Sequence, residues 1–192
     1  MAELTSDKNL IKQYLAGDSR SIDVLVDRYL KMIYSFVYKN VGSAPDSEDI
    51  TQEVFVRVWK NLKKFDQKKS FRPWIFQIAK NASIDFLRKK KTIPLSRFED
   101  DTGHNFLAES LPAPSINIIG NLSDKKTLAV AMQRLNNKEQ EIITLRHDSG
   151  LSFREISEIF QESVNTIKSR YRRGLINLKK AIGRDPHQNT SS

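Results

Sequence analysis

The stretch that most constrains the fold of this chain is one that cannot continue a helix. Residues 93–124 contain three prolines and two glycines, and they carry one basic residue against five acidic ones. Because proline and glycine interrupt helical periodicity, we predict an acidic linker with little fixed structure of its own. This linker divides the 192-residue chain into two parts, each of a size suited to one small domain.

The segments on both sides of the linker have the spacing of amphipathic helices. Apolar residues recur at intervals of three and four, and neither an alternating strand pattern nor an internal repeat stands out. We therefore predict an all-α fold of two small helical domains, at residues 8–92 and 125–183, joined by a flexible linker at residues 93–124.

Charge and composition narrow the class of function. The chain has 32 Lys and Arg against 23 Asp and Glu, a net charge of +9, which favours a polyanionic partner such as nucleic acid or an anionic membrane surface. The absence of cysteine excludes disulfides and thiolate metal sites. The first residues do not resemble a signal peptide, and no apolar run approaches the length of a membrane helix, so we expect a cytoplasmic protein.

The sequence gives no sign of catalysis. Its histidines, His104, His147 and His187, are scattered along the chain. No Ser/His/Asp set and no phosphate-binding loop accompany them. We predict a protein that is not an enzyme, with no catalytic residues, no metal site and no cofactor.

Residues 46–62 predict a helix with an acidic face. Apolar residues recur every four positions from Ile50 to Leu62, and acidic residues occupy the first turn, where the helix dipole favours them. Asp49, Gln52 and Glu53 fall together on another face. That face is either a solvated surface or a docking patch for a basic partner.

The following segment is basic and aromatic. Residues 60–91 carry eleven basic residues against two acidic ones, with phenylalanines and Trp74 interleaved. Cations neutralise phosphates and aromatic rings stack on unpaired bases, so this composition favours single-stranded nucleic acid. At about 100° per residue, one stripe of the helix is polar and aromatic. It consists of Trp74, Asn81, Asp85 and Arg88.

The neighbouring stripe of the same helix is apolar. It consists of Phe71, Ile75, Ile78, Ala79, Ala82 and Phe86. Two alternatives to nucleic-acid binding stay open: Trp74 and the phenylalanines could belong to the core, and Asp85 and Arg88 could form an ordinary surface ion pair.

Residues 151–178 have the pattern of a helix-turn-helix. Ser152 and Glu155 form a capping box that starts the first helix, and Ser163 is the N-cap of the second. The second helix has an apolar stripe. It consists of Val164, Ile167, Tyr171, Leu175, Leu178 and Ile182.

The opposite face of the second helix is basic, with six cations and no acidic residue in residues 168–180. These features predict a recognition helix that enters the major groove of duplex DNA. Asn165, Thr166 and Ser169 would approach base edges, with Arg173 as a further candidate. Phosphate contacts are predicted for another set, of which Ser163 acts with the helix N-terminus. This set is Ser163, Lys168, Arg170 and Arg172. The alternative is an αα-hairpin with a solvated basic face.

Three segments together resemble one family. Residues 46–55, DSEDITQEVF, resemble the core-binding segment of region 2 in sigma-70-family factors, and residues 71–81, FRPWIFQIAKN, resemble their segment for promoter melting and −10 reading. Residues 150–156 and 164–170 resemble the helix-turn-helix of their region 4. The order and the linker match the extracytoplasmic-function (ECF) group, and the resemblance covers about residues 9–92 and 125–182.

The resemblance implies a subunit that binds core RNA polymerase and directs it to promoters. Asp49, Gln52 and Glu53 match positions that dock on the clamp helices of the largest polymerase subunit. The loop at residues 64–70 matches one that holds a flipped base of the −10 element, which is read as a melted single strand. The residues assigned to this strand are Lys64, Phe65, Lys68, Lys69, Ser70, Phe71, Trp74, Asn81, Asp85 and Arg88.

For the second domain, the resemblance implies that the helix-turn-helix reads the −35 element as duplex DNA. It also suggests an anti-sigma factor as a partner that masks the core-binding surfaces. The turn departs from the family pattern, because Gln161 and Glu162 stand where a glycine and an aliphatic residue are usual. A non-glycine residue at a positive φ costs about 1 kcal/mol.

Two other interpretations remain open on the sequence. A helix-turn-helix regulator that binds operators as a homodimer would explain residues 125–182 but not residues 46–91. A peripheral membrane protein would set the basic run at residues 88–91 against anionic lipid, together with an exposed apolar helix face.

Overall fold

The computed structural model describes residues 5–92 and 122–183, and every regular element in these two ranges is helical. The predicted all-α class is confirmed. The helices fall into two compact units, which are described separately below.

The first unit contains four helices and a short 3-10 turn. They are α1 (Asp7–Leu15), α2 (Arg20–Val41), α3 (Ala44–Asn61), the 3-10 turn (Leu62–Lys64) and α4 (Phe71–Thr92). Helix α3 begins two residues earlier than the acidic run suggested, because Pro45 occupies its first turn, where a missing N–H costs nothing.

The core of the first unit lies between α2, α3 and α4. Phe36 of α2 and Phe76 of α4 meet edge to face with ring centroids 5.5 Å apart, and Val54 of α3 is fully buried.

Helix α1 is attached to α2 by polar contacts. Asp7 of α1 accepts a hydrogen bond from the Tyr29 hydroxyl at 2.5 Å and forms an ion pair with Arg28. These polar contacts fix α1 on α2. Burial and the nearby Asp7 carboxylate raise the pKa of Tyr29, so this hydroxyl stays a donor.

The second unit contains the other four helices. They are α5 (Leu122–Gln133), α6 (Asn137–His147), α7 (Phe153–Phe160) and α8 (Val164–Ile182). Helix α5 begins inside the predicted linker, so residues 122–124 are helical and not irregular. The rest of the linker prediction, residues 93–121, lies outside the described residues.

Helices α6 and α8 cross at Gly174. A Cβ at this position would lie 3.0 Å from Cδ1 of Ile143 and 3.3 Å from Cβ of Glu139, so a larger residue would force the two helices apart. Beside this crossing, Glu139 is 2% exposed and accepts a hydrogen bond from Nδ2 of Asn177 at 3.1 Å. A small residue and a polar bridge together set the distance and the register of α8 on α6.

The buried face of α8 differs from the predicted stripe at its centre. Leu175, predicted to be buried, is 36% exposed. The physical reason is the close approach at Gly174, which turns that position toward α6 and Leu175 toward solvent. The residues of α8 that are buried are Ile167, Gly174, Leu178 and Ala181.

The turn between α7 and α8 has the positive φ that the sequence predicts at Gln161. This residue has φ 54° and ψ 40°, and it is the one non-glycine residue at positive φ in the described ranges. Both N-caps of the helix-turn-helix are confirmed as well. Ser152 and Glu155 form a reciprocal capping box, and the Ser163 side chain accepts a hydrogen bond from the Thr166 N–H.

Replacing Gln161 with glycine is expected to raise the free energy of unfolding of the second unit by about 1 kcal/mol, because glycine has no Cβ to oppose a left-handed backbone. Denaturant unfolding of Gln161→Gly and of the parent chain measures this. The matched control is Gln140→Gly inside α6, which should lower stability by a similar amount, since its backbone is helical. Equal midpoints for Gln161→Gly and the parent would contradict the assignment of strain.

Candidate nucleic-acid interface

A cavity of about 420 Å³ opens where the end of α3, the turn after it and the first half of α4 meet. Its walls combine aromatic, amide and charged side chains. The lining residues are Arg57, Asn61, Lys64, Phe65, Asp66, Lys69, Trp74, Ile78 and Asn81. The lining has three cations and one carboxylate, so its charge favours a ligand with exposed acceptors or negative charge.

The aromatic wall of the cavity is a small cluster of rings. Phe65 and Trp74 lie 4.7 Å apart between centroids, and both are partly exposed. The ring of Phe71 packs against both, with its centroid 5.6 Å from that of Trp74 and 5.9 Å from that of Phe65. Phe65 and Trp74 therefore present aromatic surface to the cavity.

Phe71 is a core residue, which corrects its assignment to the strand-binding surface. It is 4% exposed and meets Tyr29 of α2 edge to face at 5.3 Å. The first turn of α4 points this ring at α2, and the ring does not line the cavity. Its role in this structure is to carry Phe65 and Trp74.

The turn before α4 is held by local hydrogen bonds. The Asp66 carboxylate accepts from the Lys68 N–H at 2.9 Å, and the Asp66 carbonyl accepts from the Lys69 N–H at 2.9 Å. Lys64, Lys68, Lys69 and Ser70 are all exposed, but only Lys64 and Lys69 of these four line the cavity. The turn therefore presents cations both at the cavity and around it.

Only part of the polar stripe of α4 lies at the cavity. Asn81 is exposed and lines the cavity beside Trp74. Asp85 and Arg88 lie further along α4, outside the lining, and Nη2 of Arg88 is 3.2 Å from Oδ1 of Asp85. The surface ion pair that stayed open as an alternative is thus present, and both residues remain accessible next to the cavity.

Sequence reasoning missed three of the lining residues. Arg57 and Asn61 belong to the last turns of α3, which the sequence assigned only to protein docking, and Nδ2 of Asn61 donates to the Arg57 carbonyl at 2.8 Å. Ile78 was placed in the apolar face, whereas Asp66 lies within the loop at residues 64–70 that the resemblance assigns to a flipped base. The available signal was the i,i+4 spacing of Arg57 from Glu53, which brings a cation to the end of the acidic face.

The acidic face of α3 is exposed, as the sequence predicts for Asp49, Gln52 and Glu53. Glu53 accepts two hydrogen bonds on Oε1, from Nε of Arg57 at 3.0 Å and from Nη2 of Arg57 at 2.6 Å. Trp59, two turns beyond Gln52 on the same face, is 58% exposed, and its Nε1 donates to the Tyr14 hydroxyl of α1. The face is therefore acidic at its start and aromatic at its end.

The outward face of α8 matches the predicted recognition surface in exposure. The residues that are exposed are Asn165, Lys168, Ser169, Arg172 and Arg173. Thr166 is partly buried, and its hydroxyl lies 2.9 Å from Oγ of Ser163. The Ser163 hydroxyl thus caps the N-terminus of α8.

Arg170 is engaged within the second unit. Its guanidinium forms an ion pair with Glu162, and Nζ of Lys138 lies 3.5 Å from the same carboxylate. The hydrogen bond from Arg170 holds the pKa of Glu162 below its ordinary value. A phosphate contact by Arg170, as the sequence predicts, would compete with Glu162 of the turn before α8.

A groove of about 440 Å³ runs along the middle of α8 and reaches Phe153 of α7. Tyr171 lies in this groove, and its hydroxyl is 2.7 Å from Nε2 of His147. Burial lowers the pKa of His147, which favours the neutral imidazole as the partner of Tyr171. The contact ties α6 to the centre of α8.

Residues 5–92 and 122–183 contain neither a membrane-spanning helix nor a metal-binding cluster. No helix in these ranges has the length and apolar character needed to cross a membrane. In the same ranges, no cluster of three His, Cys, Asp or Glu side chains could hold a metal ion.

Comparison with known proteins gives matches in both parts of the chain. Residues 25–93 match the family model Sigma-70 region 2, and residues 125–178 match Sigma-70, region 4. The ECF RNA polymerase sigma factor SigW of Bacillus subtilis (strain 168) is 32% identical over 180 residues, which are 91% of this chain and 96% of that protein. The match thus spans residues 46–91, which a simple operator-binding regulator would leave unexplained.

Two solved structures share the fold. CnrH in complex with the cytosolic domain of CnrY has a TM-score of 0.70 at 22% identity, covering 94% of this chain and 99% of CnrH. The sigma factor RpoE in complex with the anti-sigma factor NepR from Bartonella quintana has a TM-score of 0.62 at 20% identity, covering 83% of this chain and 95% of RpoE.

Proposed function

This chain belongs to the ECF group of sigma-70 factors, the non-catalytic subunits that direct RNA polymerase in transcription initiation, and we propose a division of labour among its surfaces. The acidic face of α3 docks on the clamp helices of the largest polymerase subunit. The cavity between α3 and α4 captures a base of the melted −10 strand, and α8 reads the −35 element as duplex DNA. In domain terms, residues 8–92 bind polymerase and the −10 element, and residues 125–183 bind the −35 element.

The observation that carries the proposal is the cavity between α3 and α4. Its volume of about 420 Å³ lies in the range of small-ligand pockets, and its wall pairs Phe65 and Trp74 with amides and cations. A base inside a duplex cannot enter such a pocket, whereas an unpaired base can leave the stack and lie against aromatic rings. The cations Lys64 and Lys69 supply counter-charge for the flanking phosphates.

Duplex reading rests on the outer face of α8. Asn165 and Ser169 are exposed in its first turns, where a recognition helix approaches base edges in the major groove. Lys168 and Arg172 are exposed beside them and suit phosphate contacts, which set the register of the helix on DNA.

We further propose an anti-sigma factor as the regulatory partner. The support is that RpoE, which shares this fold, is described in complex with the anti-sigma factor NepR. An anti-sigma factor that covers the face from Asp49 to Trp59 would exclude polymerase from α3, because one surface cannot hold both proteins.

In vitro transcription with purified core RNA polymerase tests the division of labour. Free chain is expected to bind promoter DNA weakly, while the chain with core polymerase starts transcription at discrete sites across genomic DNA. Start-site mapping also supplies the promoter sequences that the experiments below use. Equally tight and specific promoter binding by the free chain would contradict the proposal.

Replacing Arg172 with alanine is expected to weaken duplex binding to a similar degree on all sequences, because an exposed arginine on a phosphate adds affinity without reading bases. The slope of log affinity against log salt should fall by about 1 in magnitude, since about one counterion fewer is released. Lys12→Ala, which removes an exposed cation from α1, is the matched control and should leave the slope unchanged. A loss confined to one base position would mean that Arg172 reads sequence.

A further inference from the structure

We propose that Arg57 is a base-contacting residue of the cavity and that Glu53 restrains it in the free protein. The inference rests on the proposed capture of a −10 base in this cavity. Neither the sequence pattern nor the family resemblance assigned Arg57 to DNA.

The position of Arg57 supports a direct contact. Arg57 lines the same cavity as Asn61 from the next turn of α3 and Trp74 of α4. The Asn61 amide is fixed by its hydrogen bond to the Arg57 carbonyl at 2.8 Å. The lining therefore combines hydrogen-bond donors with an aromatic ring, which suits a flat ligand with acceptors along its edge.

The chemistry of the guanidinium fits a base edge better than a lone charge would. Arginine presents several N–H donors in a rigid plane, and paired acceptors on a base accept two of them at once. Glu53 occupies Nε and Nη2 of Arg57, and among the described residues none accepts a hydrogen bond from Nη1. The base would first accept a hydrogen bond from Nη1 and then compete with Glu53 for the hydrogen bonds from Nε and Nη2.

Competition is feasible because the ion pair is accessible to water. The side chains of Arg57 and Glu53 are 37% and 52% exposed, and ion pairs of this i,i+4 type on a helix surface are weak. The ion pair with Glu53 is therefore weak enough for a ligand to displace Glu53 from the guanidinium. Removing the carboxylate charge should release Arg57 toward the cavity.

The test measures binding of a fluorescent single strand to the free full-length chain by anisotropy. The probe is the non-template −10 strand of a promoter mapped by in vitro transcription. Arg57→Gln should weaken binding about tenfold, as expected for a lost hydrogen bond from a charged group. Glu53→Gln should strengthen binding about twofold, and the double variant should bind like Arg57→Gln.

Two controls separate a base contact from general electrostatics. Glu48→Gln removes an equal charge from an exposed position of the same helix and should not strengthen binding beyond the assay error. Probes with one abasic position each should identify the captured nucleotide, and the effect of Arg57→Gln should disappear with that probe alone. Arg57→Lys keeps the charge but removes the planar set of N–H donors, so it should lose most of the affinity that Arg57 adds. Circular dichroism verifies that each variant is folded.

The outcomes distinguish this inference from the function on which it rests. If abasic substitution at no position weakens binding of the parent chain, base capture itself is wrong. If one position matters but Arg57→Gln weakens all probes equally, or the gain in Glu53→Gln persists without Arg57, base capture stands and the role of Arg57 is overturned.

Discussion

The double replacement Asp49→Lys and Glu53→Lys is expected to weaken binding of the chain to core RNA polymerase by about 100-fold, because two attractive contacts become repulsive against a basic partner. Both side chains are exposed and contribute nothing to the core of the first unit. Thermal unfolding should therefore be close to that of the parent chain. Titration of labelled chain with core polymerase measures the affinity.

The contact between Glu53 and Arg57 calls for a second variant in this experiment. Because Glu53→Lys also places two cations beside each other, Asp49→Lys alone isolates the docking effect and should lower the affinity about tenfold. Asp27→Lys, at an exposed position of α2, is the matched charge reversal and should have little effect. Wild-type affinity of the double variant for core would remove the docking assignment.

Trp74→Ala is expected to weaken binding of the melted −10 strand about 30-fold, since stacking of a base on an aromatic side chain is worth roughly 1–3 kcal/mol. The indole forms the cavity wall with Phe65 and rests on Phe71, so alanine removes the surface on which the base would lie. Open complexes at a mapped promoter should fall in parallel. Permanganate reactivity of unpaired thymines measures them.

Trp74→Phe is the matched variant for this prediction, because it keeps a ring at the cavity wall and should retain much of the binding. Duplex binding at the −35 element should be unchanged in both variants. If Trp74→Ala binds the single strand like the parent chain while remaining folded, the captured base does not stack on this ring.

The features that the sequence predicts best are local. The capping box of Ser152 and Glu155 and the N-cap of Ser163 involve hydrogen bonds across three residues, so a short stretch of chain contains all the information. The positive φ of Gln161 follows from the same locality, because the tight turn between two caps leaves few backbone conformations.

The features that the sequence does not predict depend on contacts between distant elements. Helical periodicity places Phe71 on the apolar stripe of α4 and Trp74 on the neighbouring stripe, but it does not show that both rings pack against Phe65 from the preceding turn. Arg57 enters the cavity because the chain turns back after α3, and spacing within one helix does not describe that turn. Leu175 is exposed because Gly174 lies against α6.

The crossing at Gly174 separates two kinds of change that α8 can undergo. Helix α8 packs on α6 through the small Gly174 and the hydrogen bond from Asn177 to Glu139. The exposed residues Asn165 and Ser169 take no part in these contacts. Exchanging the outer side chains therefore leaves the seating of the helix intact. On the proposed role of α8, promoter preference could be redesigned, or could diverge, while the folding of the second unit is conserved.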